Sequence, residues 1–177
     1  MTATSQDRDF ARVARPIPRR VLRKKAFMDF PIHLTGVDGA ADLYNWFGYW
    51  PDFHDAEVVS LYLNRSSESS LLVHTWEMTH QLDRRGYYVS TKHIVAEFLM
   101  EEILGLHLEN FNSQNVIFGL EIEKTDLGYR LVLGACHGVA GHIECKDLSI
   151  RLTSVTHMAP APLIASTPHE SSRSDPS

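Results

Sequence analysis

Strand-like runs of apolar, β-branched and aromatic residues separated by polar turns follow one another from Val58 to Val155, ending in period-two alternation over His142–Val155, and a single stretch of helical period precedes them. Alternation places successive side chains on opposite faces of a strand, so the long stretch reads as β-strands with one face buried and one wet. The helical stretch is Asp38 to Tyr49, with Leu43, Trp46 and Phe47 on one face and Asp38 as its expected N-cap. Val58–Leu63 and Leu71–Met78 flank the polar turn 66–70 as a hairpin. Tyr87–Leu99 reads as a further strand and Leu104–Phe111 as a short, irregular one. Asn115–Lys124 should pair with Tyr129–Gly134 across the turn 125–128, and His142–Val155 closes the set. No proline occurs between Asp52 and Ala159, which suits an uninterrupted sheet because proline removes ladder donors. The run from Ile94 to Leu104 also fits a 3.6-residue period; the strand reading is preferred. The expectation is a mainly β (α+β) domain at 38–156: an antiparallel sheet with one short N-terminal helix packed on it.

Between helix and first strand lies Trp46-Phe-Gly-Tyr-Trp-Pro-Asp-Phe-His-Asp-Ala-Glu-Val58, the most informative stretch of the chain. Trp46, Phe47, Trp50 and Phe53 carry large apolar areas and should anchor the helix end to the sheet. Pro51 should stop the helix, because it lacks an N–H and disfavours helical geometry at Trp50. Asp52 and Asp55 can accept hydrogen bonds from nearby backbone N–H groups as the chain turns. His54, Asp55 and Glu57 invite a metal-ligand or acid–base reading, but no second ligand set with recognised spacing follows. The preferred reading has His54 and Asp55 locking the corner through backbone hydrogen bonds.

Charge divides the chain. Residues 1–28 carry eight Arg and Lys against Asp7 and Asp9, a net of +6, and include Pro16 and Pro18. Residues 29–177 carry nine basic and 20 acidic side chains, a net of −11. The acidic part speaks against nucleic acid and for a basic partner. The first 28 residues read as a disordered basic arm, and a start at Met28 accounts for them equally well. The Pro- and Ser-rich tail 158–177 reads as disordered. No apolar run approaches the roughly 18 residues needed to span a bilayer, and no signal-peptide pattern appears. Two cysteines are too few for a disulfide scaffold. The expectation is a soluble cytoplasmic protein with no membrane partner.

The wording "FGYWPDFHDAEV" resembles the bacterial immunity protein 50 family. Leu108-Glu-Asn-Phe-Asn-Ser-Gln-Asn-Val-Ile-Phe118, with Phe111, Gln114 and Asn115, is similar to that family's central block. Gly138-Val-Ala-Gly-His-Ile-Glu-Cys145, with Gly138, Gly141 and Cys145, is similar to its closing turn and strand. His137 and Ile143 stand where the family pattern has aromatic residues. The resemblance covers roughly residues 40–155. It implies a non-catalytic protein that binds and neutralises a cognate toxin used in contact-dependent bacterial competition. Independently of it, the exposed-looking carboxylates Glu97, Glu101, Glu102, Glu109, Glu121 and Glu123, with Asp126, are dense enough to suggest a face for a basic partner; with the resemblance, a nuclease toxin is one such partner class.

The competing reading is a small metal-dependent enzyme using His54, Asp55 and the turn 136–145. Cys136, His137, His142 and Cys145 could offer sulfur and nitrogen to zinc. Their spacing is not that of separated C-x-x-C pairs, and a core-facing cysteine behaves as a small apolar residue. His74, His93 and His107 read as satisfied strand residues. No P-loop, dinucleotide fingerprint, nucleophile elbow or H-E-x-x-H helix occurs, so no cofactor is expected.

Overall fold

The computed structural model describes residues 30–155. The basic arm 1–28 and the tail 158–177, both expected to be disordered, lie outside the described residues. The elements are a short 3-10 helix (Ile32–Leu34), α1 (Ala40–Phe47), β1 (Glu57–Tyr62), β2 (Ser69–Leu82), β3 (Tyr88–Glu109), β4 (Val116–Lys124), β5 (Tyr129–His137) and β6 (Ala140–Thr153). All strand pairs are antiparallel, and the one α-helix among the described residues packs on the sheet, as the sequence pattern predicts. The sheet order is β1-β2-β3-β6-β5-β4, and it closes into a barrel.

Inward positions follow the pleat. Leu71, Val73 and Thr75 of β2, Leu131 and Leu133 of β5, and Ile143 and Cys145 of β6 are buried. Leu43 and Phe47 of α1 join that core, together with Leu34 and Val37 from an upstream segment to which the sequence assigned no element. The folded body therefore reaches further back than residue 38. Seam closure between β1 and β4 is brief: Glu57 pairs with Val116, Val58 N–H donates to Asn115 O at 2.8 Å, and Ile117 N–H donates to Ala56 O at 2.9 Å.

Both helix ends differ from expectation. Gly39, not Asp38, occupies the N-cap, with φ 77°. Ile150 N–H donates to Asp38 O at 2.8 Å, and a Cβ on Gly39 would lie 1.7 Å from Ile150 O, so this backbone crossing admits only glycine. At the other end Gly48, φ 89°, donates its N–H to Tyr44 O at 2.7 Å and ends the helix before Pro51 is reached. Trp46 ties the helix end to β3 from the surface: it is 41% exposed, and its Nε1 donates to Lys92 O at 2.9 Å.

The ambiguous run is strand. Ile94, Ala96, Phe98 and Met100 are buried, and so are Val95 and Leu99 between them. A strand covered on both faces loses its alternation, which is why the run also fits a helical period. The two expected strands 87–99 and 104–111 are one. Glu102 at φ 52° and a register shift between Ile103 and Gly105 form a bulge that bends β3 without ending it.

Candidate functional site

The corner between α1 and β1 is built from backbone outward. Ala56 N–H donates to Phe53 O at 3.1 Å, Leu120 N–H donates to Asp52 O at 3.3 Å, and Asp52 Oδ1 accepts the His54 N–H at 3.0 Å. Phe53 and Asp55 both sit at φ 61°, which folds the chain tightly enough to aim Phe53 into the barrel. There it is 1% exposed, with its ring edge-on to Phe98 at 5.8 Å. Pro51 is buried as well, while Trp50 is half-buried against Phe30, ring centroids 6.1 Å apart.

His54 and Asp55 do not lock this corner as expected; Asp52 and the main chain do. Their side chains pair with each other, Nδ1 to Oδ2 at 3.0 Å, and each remains about half exposed. His54 stands between two grooves. The larger, about 770 Å³, is lined by Trp50, Pro51, Asp52, Phe118, Glu121 and Glu123 among others, and the His54 ring meets Phe118 edge-on at 4.8 Å. The smaller, about 330 Å³, runs past Asp55 to Tyr49, Trp76 and Met78. Glu57 lies at the barrel seam, register partner of both His74 and Val116, with its side chain exposed.

Sequence reading missed Phe118, which is 63% exposed. Its neighbour Ile117 is wholly buried, so a large aromatic out of phase with the inward positions of β4 was the available signal. Partly exposed aromatics beside charged groups have the composition of protein-binding hot spots, and the corner gathers them around a paired histidine and carboxylate.

The second motif block is architectural. Asn115, 4% exposed, accepts N–H bonds on Oδ1 from Asn112 and Val139 and donates Nδ2 to Asn112 O at 2.6 Å. Gln114 donates its backbone N–H to Asn112 Oδ1. A Cβ on Gly138 would lie 2.4 Å from Gln114 O, and one on Gly141 2.0 Å from His107 O. Asn115 and Gly138 tie the β3–β4 turn to the β5–β6 turn, and Gly141 lets β6 pass close to β3. Phe111 is 52% exposed and takes no part in the core.

The suggested zinc ligands are drawn apart. Cys145 faces the barrel interior and Cys136 is exposed. His142 lies three residues from Cys145, hence on the opposite face of β6, with Nε2 3.4 Å from Arg130 Nη2. Among the described residues no three His, Cys, Asp or Glu side chains gather in a metal-holding arrangement. Burial pushes the Cys145 thiol up to about 11, with Asp147 adding to the shift. Cys136 should therefore react with a disulfide reagent at pH 8 in the native protein, and Cys145 only after denaturation. Titration of both thiols in native protein would contradict the interior placement.

A second cluster lies on β2 and β3. His74 Nε2 and His93 Nδ1 are 3.2 Å apart, Ser90 Oγ meets His93 Nε2 at 2.9 Å, and the Trp76 ring stacks on His93 at 5.7 Å. Burial, and then His93, push the His74 imidazole below its ordinary value, against an opposing pull from Glu57. A depressed histidine binds its proton less readily folded than unfolded. Its contribution is thus fully present above the unfolded value of about 6.5 and is lost as pH falls from there toward the folded value. His74→Gln should accordingly lose less melting temperature than wild type between about pH 7 and 5.5; parallel curves would contradict this.

The carboxylates suggested as a partner face are dispersed. Glu97 is half-buried and bonded to Arg151 at 3.2 Å, Glu102 to Lys146 at 2.8 Å, and Glu109 lies 3.2 Å from His107. Glu101 borders a separate pocket with Glu102 and Lys146. Glu121 and Glu123 alone among them share the large groove with the corner; Glu123 is 3.9 Å from Arg130.

Comparison with protein-family models, with curated proteins and with solved structures finds no match. Among the described residues no helix is long and apolar enough to cross a membrane.

Proposed function

We propose that this is an immunity-type binding protein that occludes a basic toxin domain without chemistry of its own. One observation carries the reading: His54 and Asp55 stand exposed between two grooves walled by Tyr49, Trp50, Trp76 and Phe118, with Glu121 and Glu123 beside them. Residues 30–155 hold 17 acidic and eight basic side chains, a field that would draw in a basic partner, while the aromatics would slow its release. The resemblance of the corner and of the 108–118 block to the immunity family supports the same reading. The His54–Asp55 dyad favours an enzyme as the second reading, since a carboxylate-oriented imidazole is a general-base arrangement.

The test pairs folding with binding, using the product of any toxin-like reading frame found beside this gene. Glu121→Lys with Glu123→Lys should keep the melting temperature within about 2 °C and slow association about tenfold at low salt. His54→Ala with Asp55→Ala should fold normally and weaken the complex by about 2 kcal/mol or more. Unchanged kinetics for both variants would move the site off this face. Failure of the folded wild type to bind or protect would remove the immunity reading.

A further inference from the structure

We infer that the basic arm, residues 1–28, docks into the groove between the corner and β4, against Trp50, Phe118, Glu121 and Glu123.

Three observations converge on this. The described chain starts at the groove itself: Pro31 and His33 line its rim, His33 Nε2 sits 2.8 Å from Ile122 O, and Phe30 packs on Trp50. A segment leaving from that rim has a very short loop to close, and short closure costs little entropy. Lys25 lies six residues before Pro31, an extended reach of about 20 Å, so Arg23, Lys24 and Lys25 fall within range of the groove.

The chemistry is complementary as well. The arm carries a net +6, and Val21, Leu22 and Phe27 flank its Arg23-Lys24-Lys25 run. The groove presents the converse pattern, with Asp52, Glu121 and Glu123 set among Trp50, Pro51 and Phe118. The groove's own cation is engaged elsewhere, since Lys124 Nζ lies 3.8 Å over the Tyr129 ring. Of the carboxylates named above, Glu97, Glu102 and Glu109 have intramolecular partners at 3.2 Å or less; Glu101 and Glu121 have no ion pair among the described residues, and of these two only Glu121 lines the large groove. Nearness to the arm's root, with an unpaired carboxylate there, favours this groove over the pocket at Glu101, which Arg65 and Lys146 already border. The inference does not rest on the proposed toxin, because it concerns the protein alone.

The experiment uses the full chain. A zero-length carbodiimide coupling at low salt, followed by digestion and mass spectrometry of the monomer band, should link Lys24 or Lys25 to Asp52, Glu121 or Glu123. The links should vanish in 0.5 M sodium chloride, where the Debye length is only a few ångströms. In parallel, trypsin should release the arm about fivefold faster from Glu121→Gln with Glu123→Gln than from wild type at low salt, and equally fast from both at high salt. Arm release at equal rates at low salt would overturn the inference. So would arm links spread evenly to Glu97, Glu101 and Glu102, or found only in cross-linked dimers, where a second copy supplies the arm.

Discussion

Phe53→Ala is expected to remove about 3–5 kcal/mol of unfolding free energy, the largest loss from any single side chain of the corner. Phe53 is 1% exposed and its ring meets Phe98 edge-on inside the barrel, so truncation leaves a cavity that surrounding backbone cannot fill. The corner cannot collapse inward, because Asp52 O and Ala56 O are held by the N–H groups of Leu120 and Ile117 on β4. Domains of this size are stable by about 5–15 kcal/mol in all, so the variant should unfold at markedly lower denaturant. Trp50→Ala removes a half-buried ring at the groove wall and should cost clearly less. Urea unfolding of both variants checks the order; a Phe53→Ala loss below that of Trp50→Ala would contradict the packing.

Gly141→Ala should be nearly as damaging, by about 3 kcal/mol or more. The position has φ 128°, a conformation that L side chains rarely adopt, and its Cβ would lie 2.0 Å from His107 O and 2.9 Å from His107 C. Those atoms are backbone of β3, paired to β6 on either side of the contact, so neither strand can yield without breaking ladder bonds. Gly36→Ala is the matched control. Nothing lies within 4 Å of its Cβ, and its stability should stay within about 0.5 kcal/mol of wild type. Thermal melts of the two alanine variants measure the contrast; equal melting temperatures would show that the β3–β6 crossing is not tight.

How much of the site was legible differs residue by residue. The motif stretch pointed to the right corner, because a run of aromatics ending in Pro-Asp-Phe-His-Asp is locally unusual whatever surrounds it. It could not rank those residues. Phe53 and Trp50 look alike in a string, and only the left-handed φ at Phe53 sends one ring inward and leaves the other at the groove. His54 and Asp55 looked like corner locks, yet that work falls to Asp52 and the backbone, which leaves the pair free at the surface. The acidic residues were counted correctly and placed wrongly as a group. Charge is a property of composition, but which carboxylates share a face depends on strand order, and β4 is distant from β3 in this barrel.

What the sequence determined by itself was the local geometry: one helix, a succession of antiparallel strands, and the hairpins β1–β2 and β4–β5. Period and turn chemistry act over a few residues and need no distant partner. What only the tertiary structure decided came from contacts between segments far apart in the chain. Barrel closure rests on Glu57 meeting Val116. The helix begins at Gly39 because Ile150 leaves no room for a side chain there, and β3 runs on past Glu102 because β6 continues beside it. His142 and Cys145 are parted because the barrel has an inside, and a one-residue difference in strand parity puts a side chain in the core or in water.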